Sequence, residues 1–362
     1  MEEKRVCVTG GSGFIGSWLV RELLQRGYTV HATLQNLADP NEKNHLQALE
    51  GANQRLKLFQ LDVLDYDLMA AAINGCQGVF HLASPCTLEE VKDPQVELLD
   101  PAVKGTLNAL EACRRANVKR VVLTSSISSL VPNPAWPPNT PIDENSWTDI
   151  EYCKRDKIWY PVSKTLAEKA AWEYAHTHKM DMVAVHPSTC LGPLLQPKLN
   201  ASSAVLLDLL RGSQDTHSNY WLGCVHVEDV AKAHVLLYET SSASGRHLCT
   251  NGIIRFSDFA EVVAKICPEY PVYSIDEGTG IEDLYKPAKE LPFLLWKLEV
   301  ANMTLVVADM ILLVAHVRVT VLNVTLAAAH MTLDHDGFIK LVIEMHTNNN
   351  DTVKDFCPGL II

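Results

Sequence analysis

The run Thr9-Gly10-Gly11-Ser12-Gly13-Phe14-Ile15-Gly16 constrains this chain more than any other segment, because of what flanks it. Arg5–Thr9 reads as a short apolar strand, and residues 14–26 carry the periodicity of an amphipathic helix closed by Gly27. Glycine is needed where a strand turns at once into a helix, where backbone must approach a ligand, and where helix packs directly on strand. The free N–H groups and partial positive charge of a helix start then suit a diphosphate. A lone glycine pattern is no more than a tight turn. With a strand before it and a helix after it, the run reads as a dinucleotide-binding loop.

The rest of the first half repeats the alternation. Strand candidates fall at residues 29–33, 56–61, 78–83, 120–125 and 181–186, and helical stretches lie between most of them, notably 100–116 and 160–178. Strands rich in Val, Leu and Phe, separated by helices, predict an α/β fold: a Rossmann-type, doubly wound parallel sheet covered on both faces. The rhythm breaks near residue 190, where Pro187, Pro193 and Pro197 bound a loop before a helical stretch at 204–211. The expected organisation is a dinucleotide-binding domain over 1–190 with return elements near 225–250, a smaller substrate lobe over 191–276, and an atypical apolar segment over 277–362.

Charge and cysteine usage exclude other classes. The 31 basic residues face 43 acidic ones, a net charge of −12, which argues against a nucleic-acid backbone as partner. The 10 cysteines show no CxxC pair or Cys/His ligand spacing, so neither a metal site nor a disulfide framework is expected. The start Met1-Glu2-Glu3-Lys4 shows no targeting pattern, and a cytoplasmic protein is expected. The window 310–329 is apolar enough to raise a membrane span, but it contains His316, Arg318 and Asn323. A buried or poorly folded segment is expected there instead, with no membrane partner.

The second strand should show which dinucleotide binds. An acid beyond it holds the ribose hydroxyls of NAD, and an arginine accepts the 2′-phosphate of NADP. His31-Ala32-Thr33-Leu34-Gln35-Asn36 offers neither, so NADP is permitted without being demanded. Asp62-Val63 ends the third strand, where it would either meet the adenine or cap the helix after it.

Tyr160-Pro161-Val162-Ser163-Lys164 opens a long helix and puts phenol and ammonium on one face. A phenol titrating near 10 needs help to exchange protons at neutral pH, and a neighbouring ammonium gives it. Alone, the spacing fits a solvated helix face better. Thr124-Ser125-Ser126 ends a parallel strand, at the end where open α/β sheets bind ligands. Those serines either terminate the strand or place Ser126 on a substrate carbonyl beside Tyr160.

The segments VTGGSGFIGSWLV, GVFHLASP, VVLTSSIS, WYPVSKTLAEKAAWEYA, VHVEDVAKAH and GRHLC together resemble an extended short-chain dehydrogenase/reductase. The resemblance spans residues 4–276 and points to the plant group of cinnamoyl-CoA, dihydroflavonol and phenylacetaldehyde reductases. It implies a catalytic triad of Ser126, Tyr160 and Lys164. It further implies cofactor contacts from Gly10, Gly13, Phe14, Ile15, Gly16, Gln35, Asp62, Val63, Ala83, Lys164, Pro187 and Ser202. The implied cofactor is NADPH rather than NADH, the partner a small-molecule carbonyl substrate, and the assembly a monomer or weak homo-oligomer.

Three departures shape the expectation. Gln35 stands where NADPH-specific members carry arginine. The run Trp159-Tyr160-Pro161-Val162-Ser163-Lys164 differs from the NWYCYGK of cinnamoyl-CoA reductases, which tells against a thioester. Val131 stands where dihydroflavonol reductases have asparagine, which tells against a polyhydroxylated flavonoid. An aldehyde or ketone reductase is therefore expected, with a cinnamoyl-CoA-type thioester reductase or a dihydroflavonol reductase as alternatives. From other classes come a catalytically impaired NADP-binding protein and an epimerase or dehydratase that retains its cofactor.

Overall fold

The computed structural model describes residues 4–86, 91–137, 140, 142–211, 220–268 and 270–272. Strand β1 (Arg5–Thr9) passes through the glycine run into helix α1 (Phe14–Gln25). Then follow β2 (Thr29–Leu34), α2 (Pro40–Gln47), a single turn α3 (Ala52–Arg55), β3 (Leu56–Gln60), α4 (Tyr66–Ile73) and β4 (Gly78–His81). Helix α5 (Asp100–Arg115), β5 (Arg120–Thr124), α6 (Ile150–Arg155), α7 (Trp159–His178) and β6 (Met182–Pro187) continue the alternation. Beyond it lie β7 (Thr189–Leu191), α8 (Ala201–Arg211), β8 (Trp221–His226), α9 (Val227–Glu239), β9 (Gly245–Cys249), β10 (Gly252–Arg255) and α10 (Phe256–Ile266).

Seven strands form one sheet in the order β3-β2-β1-β4-β5-β6-β9, with every neighbouring pair parallel. The expected doubly wound α/β sheet is what forms. Its inner strands bury both faces, and alternate residues feed different cores. Val6, Val8, Phe80, Val122, Val183 and Val185 pack with Leu19 and Leu23 of α1 and Val230 and Val235 of α9. Cys7, Val79, Val121, Leu123 and Ala184 point the other way, to Met69 and Ile73 of α4, Leu110 of α5 and Ala171 of α7. A second sheet has the order β10-β8-β7, with β7 and β8 parallel and β8 and β10 antiparallel.

The chain winds outward from β1 to β3 and then crosses back to β4, so the sheet's order reverses between β1 and β4. That reversal opens a crevice at the strands' carboxyl ends, where ligands of such sheets bind. Strand β4 stops at His81, two residues earlier than the sequence suggests, for a local reason. The N–H groups of Leu82 and Ala83 leave the ladder and donate to Thr9 Oγ1 at 3.0 and 3.1 Å. Among the described residues no helix is long and apolar enough to cross a membrane. Segment 277–362, including the window 310–329, lies outside the described residues.

Candidate active site

Thr9 ends β1 and ties the crevice together. Its hydroxyl accepts from Leu82 and Ala83 and lies in hydrogen-bond contact with His81 Nδ1 at 2.9 Å. His81 is buried, and that burial, with the Lys164 charge acting in the same sense, pushes it down to about 3, so it stays neutral. Gly10 then turns with φ +70°, and a Cβ there would sit 3.1 Å from the Ala83 backbone. A Cβ on Gly16 would overlap the Gly10 carbonyl oxygen, so α1 can lie against the loop only with glycine here. Gly11 has the same role toward β2, where a Cβ would come within 2.8 Å of Ala32 Cβ. Gly13, at the N-cap, has only the Gly10 carbonyl near its missing Cβ, at 3.3 Å. No side chain caps α1 and no acid occupies its first turn, which leaves its start fit for an anion. Phe14 is buried beneath that turn, and Ile15 packs against the same core.

Ser126, Tyr160 and Lys164 come together from β5 and α7. Ser126 follows β5 and accepts from the Ser128 N–H at 3.1 Å, and its hydroxyl is the hydrogen-bonding neighbour of the Tyr160 phenol. Burial pushes that phenol above its ordinary range, the Cys86 thiol adds to the effect, and the Ser126 bond opposes it. Tyr160 is therefore a neutral phenol at physiological pH. Lys164 is buried, so the solvated helix face fails as a reading of the pair. Its ammonium donates to the Thr124 carbonyl at 2.9 Å, and burial pushes it down to about 8. In the chain alone, burial has the largest effect on the phenol. A small space lies between Lys164, His81, Ala83, Ser84, Thr106 and Thr124. Within it, His81 Nε2 and Ser84 Oγ are buried without partners among the described residues.

The remaining predicted residues lie along the carboxyl edge or beside it. Pro187 ends β6 and is paired with Cys249. Ser202 donates to the Cys190 carbonyl at 2.6 Å, which ties α8 to β7. Val63 packs where a Cβ on Gly105 would clash, and its carbonyl accepts from Asn108 Nδ2 at 3.0 Å. Asp62 is not the helix cap. Its carboxylate accepts the Leu64 N–H at 2.9 Å in a local turn, and Asp65 caps α4 through the N–H groups of Asp67 and Leu68.

Gln35 is exposed, and the surprise lies beside it. The Glu42 carboxylate of α2 reaches back to the end of β2. It accepts from the Gln35 N–H at 2.8 Å, the Asn36 N–H at 3.3 Å and Ser12 Oγ at 3.5 Å. The second strand itself supplies no acid, but the fold brings one there.

The model of the NAD dependent epimerase/dehydratase family matches residues 6–249. The chain belongs to that family. A cinnamoyl-CoA reductase of Medicago truncatula is 46% identical over 286 residues, covering 78% of this chain and 86% of the relative. Among solved structures, vestitone reductase from alfalfa is 35% identical with a TM-score of 0.66, covering 78% of this chain and 88% of that one. The yeast methylglyoxal/isovaleraldehyde reductase complexed with NADPH is 26% identical with a TM-score of 0.67, covering 79% and 86%.

Within this epimerase/dehydratase-family crevice, sequence reasoning passed over Thr9, Gly11, Glu42 and Glu168. Thr9 and Gly11 stand inside the motif that was read, so their positions were visible and only their contacts were not. Glu168 continues the helical spacing of Tyr160 and Lys164 and could have been found by extending it. Glu42 offered the cap signal Asp39-Pro40, with Asp39 accepting from Asn41 and Pro40 opening α2.

Proposed function

We propose that this chain is an NADPH-dependent reductase that turns the carbonyl of an aldehyde or ketone into an alcohol. The observation that carries the reading is the meeting of Ser126, Tyr160 and buried Lys164 at the carboxyl end of β5, in the same sheet as the glycine crevice. The uncapped start of α1, the cradle at Gly13 and the unpartnered atoms of His81 and Ser84 fit a dinucleotide laid along that edge. Gly10, Gly13, Phe14, Ile15 and Gly16 hold its diphosphate, Asp62 and Val63 its adenine, and Ala83, Lys164, Pro187 and Ser202 its nicotinamide half. When bound, it supplies a hydride to the carbonyl carbon. Tyr160, kept neutral by burial, donates its proton to the carbonyl oxygen. Ser126 orients that oxygen by hydrogen bonding, and the Lys164 ammonium eases the charge left on the phenol.

The 46% identity to a cinnamoyl-CoA reductase favours a second reading, reduction of an acyl-CoA thioester. Pro161, Val162 and Ser163 behind the tyrosine tell against the thioester, and Val131 beyond the serine tells against a polyhydroxylated flavonoid. The test is NADPH oxidation by purified protein with aldehydes, ketones, CoA thioesters and flavonoids. Turnover with aldehydes or ketones is expected. Turnover confined to thioesters would select the second reading. Protein that oxidises nothing but retains NAD through purification would instead run an epimerase-type cycle.

Glu42 sets a further expectation. Its carboxylate holds the N–H groups at the end of β2, where an adenosine 2′-phosphate would need donors. Glu42→Gln removes the repulsion and should tighten NADPH by roughly tenfold, about 1.4 kcal/mol, with little change for NADH. Gln35→Arg should act in the same direction by supplying a bidentate partner. Calorimetric titration of both nucleotides decides it. Equal tightening of NADPH and NADH would remove Glu42 from the phosphate's surroundings.

A further inference from the structure

Helix α7 carries a third polar side chain in line with the first two: Tyr160, Lys164 and Glu168 follow at i, i+4 and i+8. Glu168 is 1% exposed, and a carboxylate that deep is costly unless both oxygens are bonded. Oε2 accepts from Ser125 Oγ and Ser129 Oγ, each at 2.6 Å, and from His186 Nε2 at 2.9 Å. Oε1 accepts from Arg246 Nε at 2.6 Å and Trp172 Nε1 at 3.1 Å. Burial opposes the ionised form, but His186 and then Arg246 outweigh it and hold the carboxyl well below its usual range.

Two features of this cluster bear on the reacting groups. Ser125 and Ser129 flank Ser126, so Glu168 pins the turn that presents it, and Ser129 Oγ also lies 2.9 Å from the Ser126 carbonyl. Lys164 is buried, and Glu168 is the foremost group opposing the loss of its proton, with Cys86 next. Arg246 comes from β9, far along the chain. It donates to the carbonyls of Glu144 and Ser146 at 2.8 and 2.5 Å and lies 3.7 Å over the Trp147 ring.

We infer that Glu168, backed by Arg246, is a positioning residue whose buried charge keeps Lys164 an ammonium and whose hydrogen bonds fix the Ser126 turn. The inference deepens the reductase reading and rests on it. Lys164 is faced by Tyr160 and Glu168 from its own helix, by His81 at the end of β4 and by Cys86 beyond it. His81 is neutral and the Cys86 thiol is pushed up by burial, so neither replaces Glu168 as a counter-charge. Glu168 is faced by Lys164, by His186 on β6 and by Arg246 on β9, with His247 and Glu144 behind them.

The signs of two substitutions separate this role from a merely structural one. Glu168→Gln keeps shape and much of the bonding, removes the negative charge and leaves Arg246 unneutralised. Arg246→Gln leaves the Glu168 charge unshared. Lysine labelled with ¹³C at Cε, with the Lys164 signal assigned by its loss in Lys164→Arg, gives the ammonium's titration directly in the full chain. Glu168→Gln should lower that midpoint by about one unit and Arg246→Gln should raise it. The alkaline limb of kcat/KM for carbonyl reduction should move in the same two directions. Midpoints that stay put, or shift in the same sense in both variants, would overturn the inference. If Glu168→Gln does not fold, the rise in Arg246→Gln decides alone, and its absence is the overturning result. A wild-type protein that reduces no carbonyl would defeat the reductase reading, while the lysine titration would still decide the influence of Glu168.

Discussion

Tyr160→Phe should lower kcat for carbonyl reduction by about 10²–10⁴-fold, the usual worth of a positioned general acid. The variant loses one oxygen from a half-buried ring, and with it the partner of the Ser126 hydroxyl. No part of the glycine crevice depends on that oxygen, so NADPH affinity should change by no more than about twofold. Turnover and affinity are therefore expected to separate. Turnover close to wild type in this variant would mean that the proton comes from elsewhere and that the assignment of Ser126, Tyr160 and Lys164 is wrong. Ser126→Ala tests the same geometry from the other side and should retain more activity, because it removes an orienting bond and not the proton itself.

Gly16→Ala should damage binding before chemistry. The added Cβ would overlap the Gly10 carbonyl oxygen and lie 2.9 Å from Gly11 Cα, both backbone atoms that cannot rotate away. Forcing the loop from α1 costs about 1–3 kcal/mol, which corresponds to about five- to 150-fold in Kd if the distortion falls on the dinucleotide site. Gly252→Ala in β10 is the matched control, because nothing lies within 4 Å of its added Cβ. Melting and NADPH titration of the pair should show a loss of affinity in the first and little change in the second. Equal affinities would place the diphosphate away from the start of α1.

Much of the fold was legible because its strands are buried on both faces and read as apolar runs broken by glycine and helix. The glycine loop was legible because steric need and motif coincide at Gly10 and Gly16. The helical spacing of Tyr160 and Lys164 showed that the two side chains share a face, but not that Lys164 is buried and Tyr160 half-buried, and desolvation is the largest influence on both groups. Asp62 and Asp65 offer the same cap chemistry three residues apart, and only the path of the turn assigns the cap to Asp65. Arg246 escaped because its partner Glu168 is distant in sequence, and Glu42 because only the turn between β2 and α2 swings it back onto Gln35 and Asn36. The resemblance carried the family without carrying those contacts, and beyond residue 276 it gave no pattern to read.

Strand β9 pairs with β6 from the far side of β7, α8, β8 and α9, and that order has a consequence for synthesis. A nascent chain that has emerged only through β6 holds the glycine loop, the serine, the tyrosine and the lysine, with six of the sheet's strands available to pair. Its Glu168 still lacks Arg246, and the outer edge of β6 is open. Long-range pairing of this kind forms late, since loop closure must precede it. The glycine loop and the pairings among β1–β6 can thus form ahead of the Glu168–Arg246 pair, which waits for Gly245–Cys249 to leave the exit tunnel.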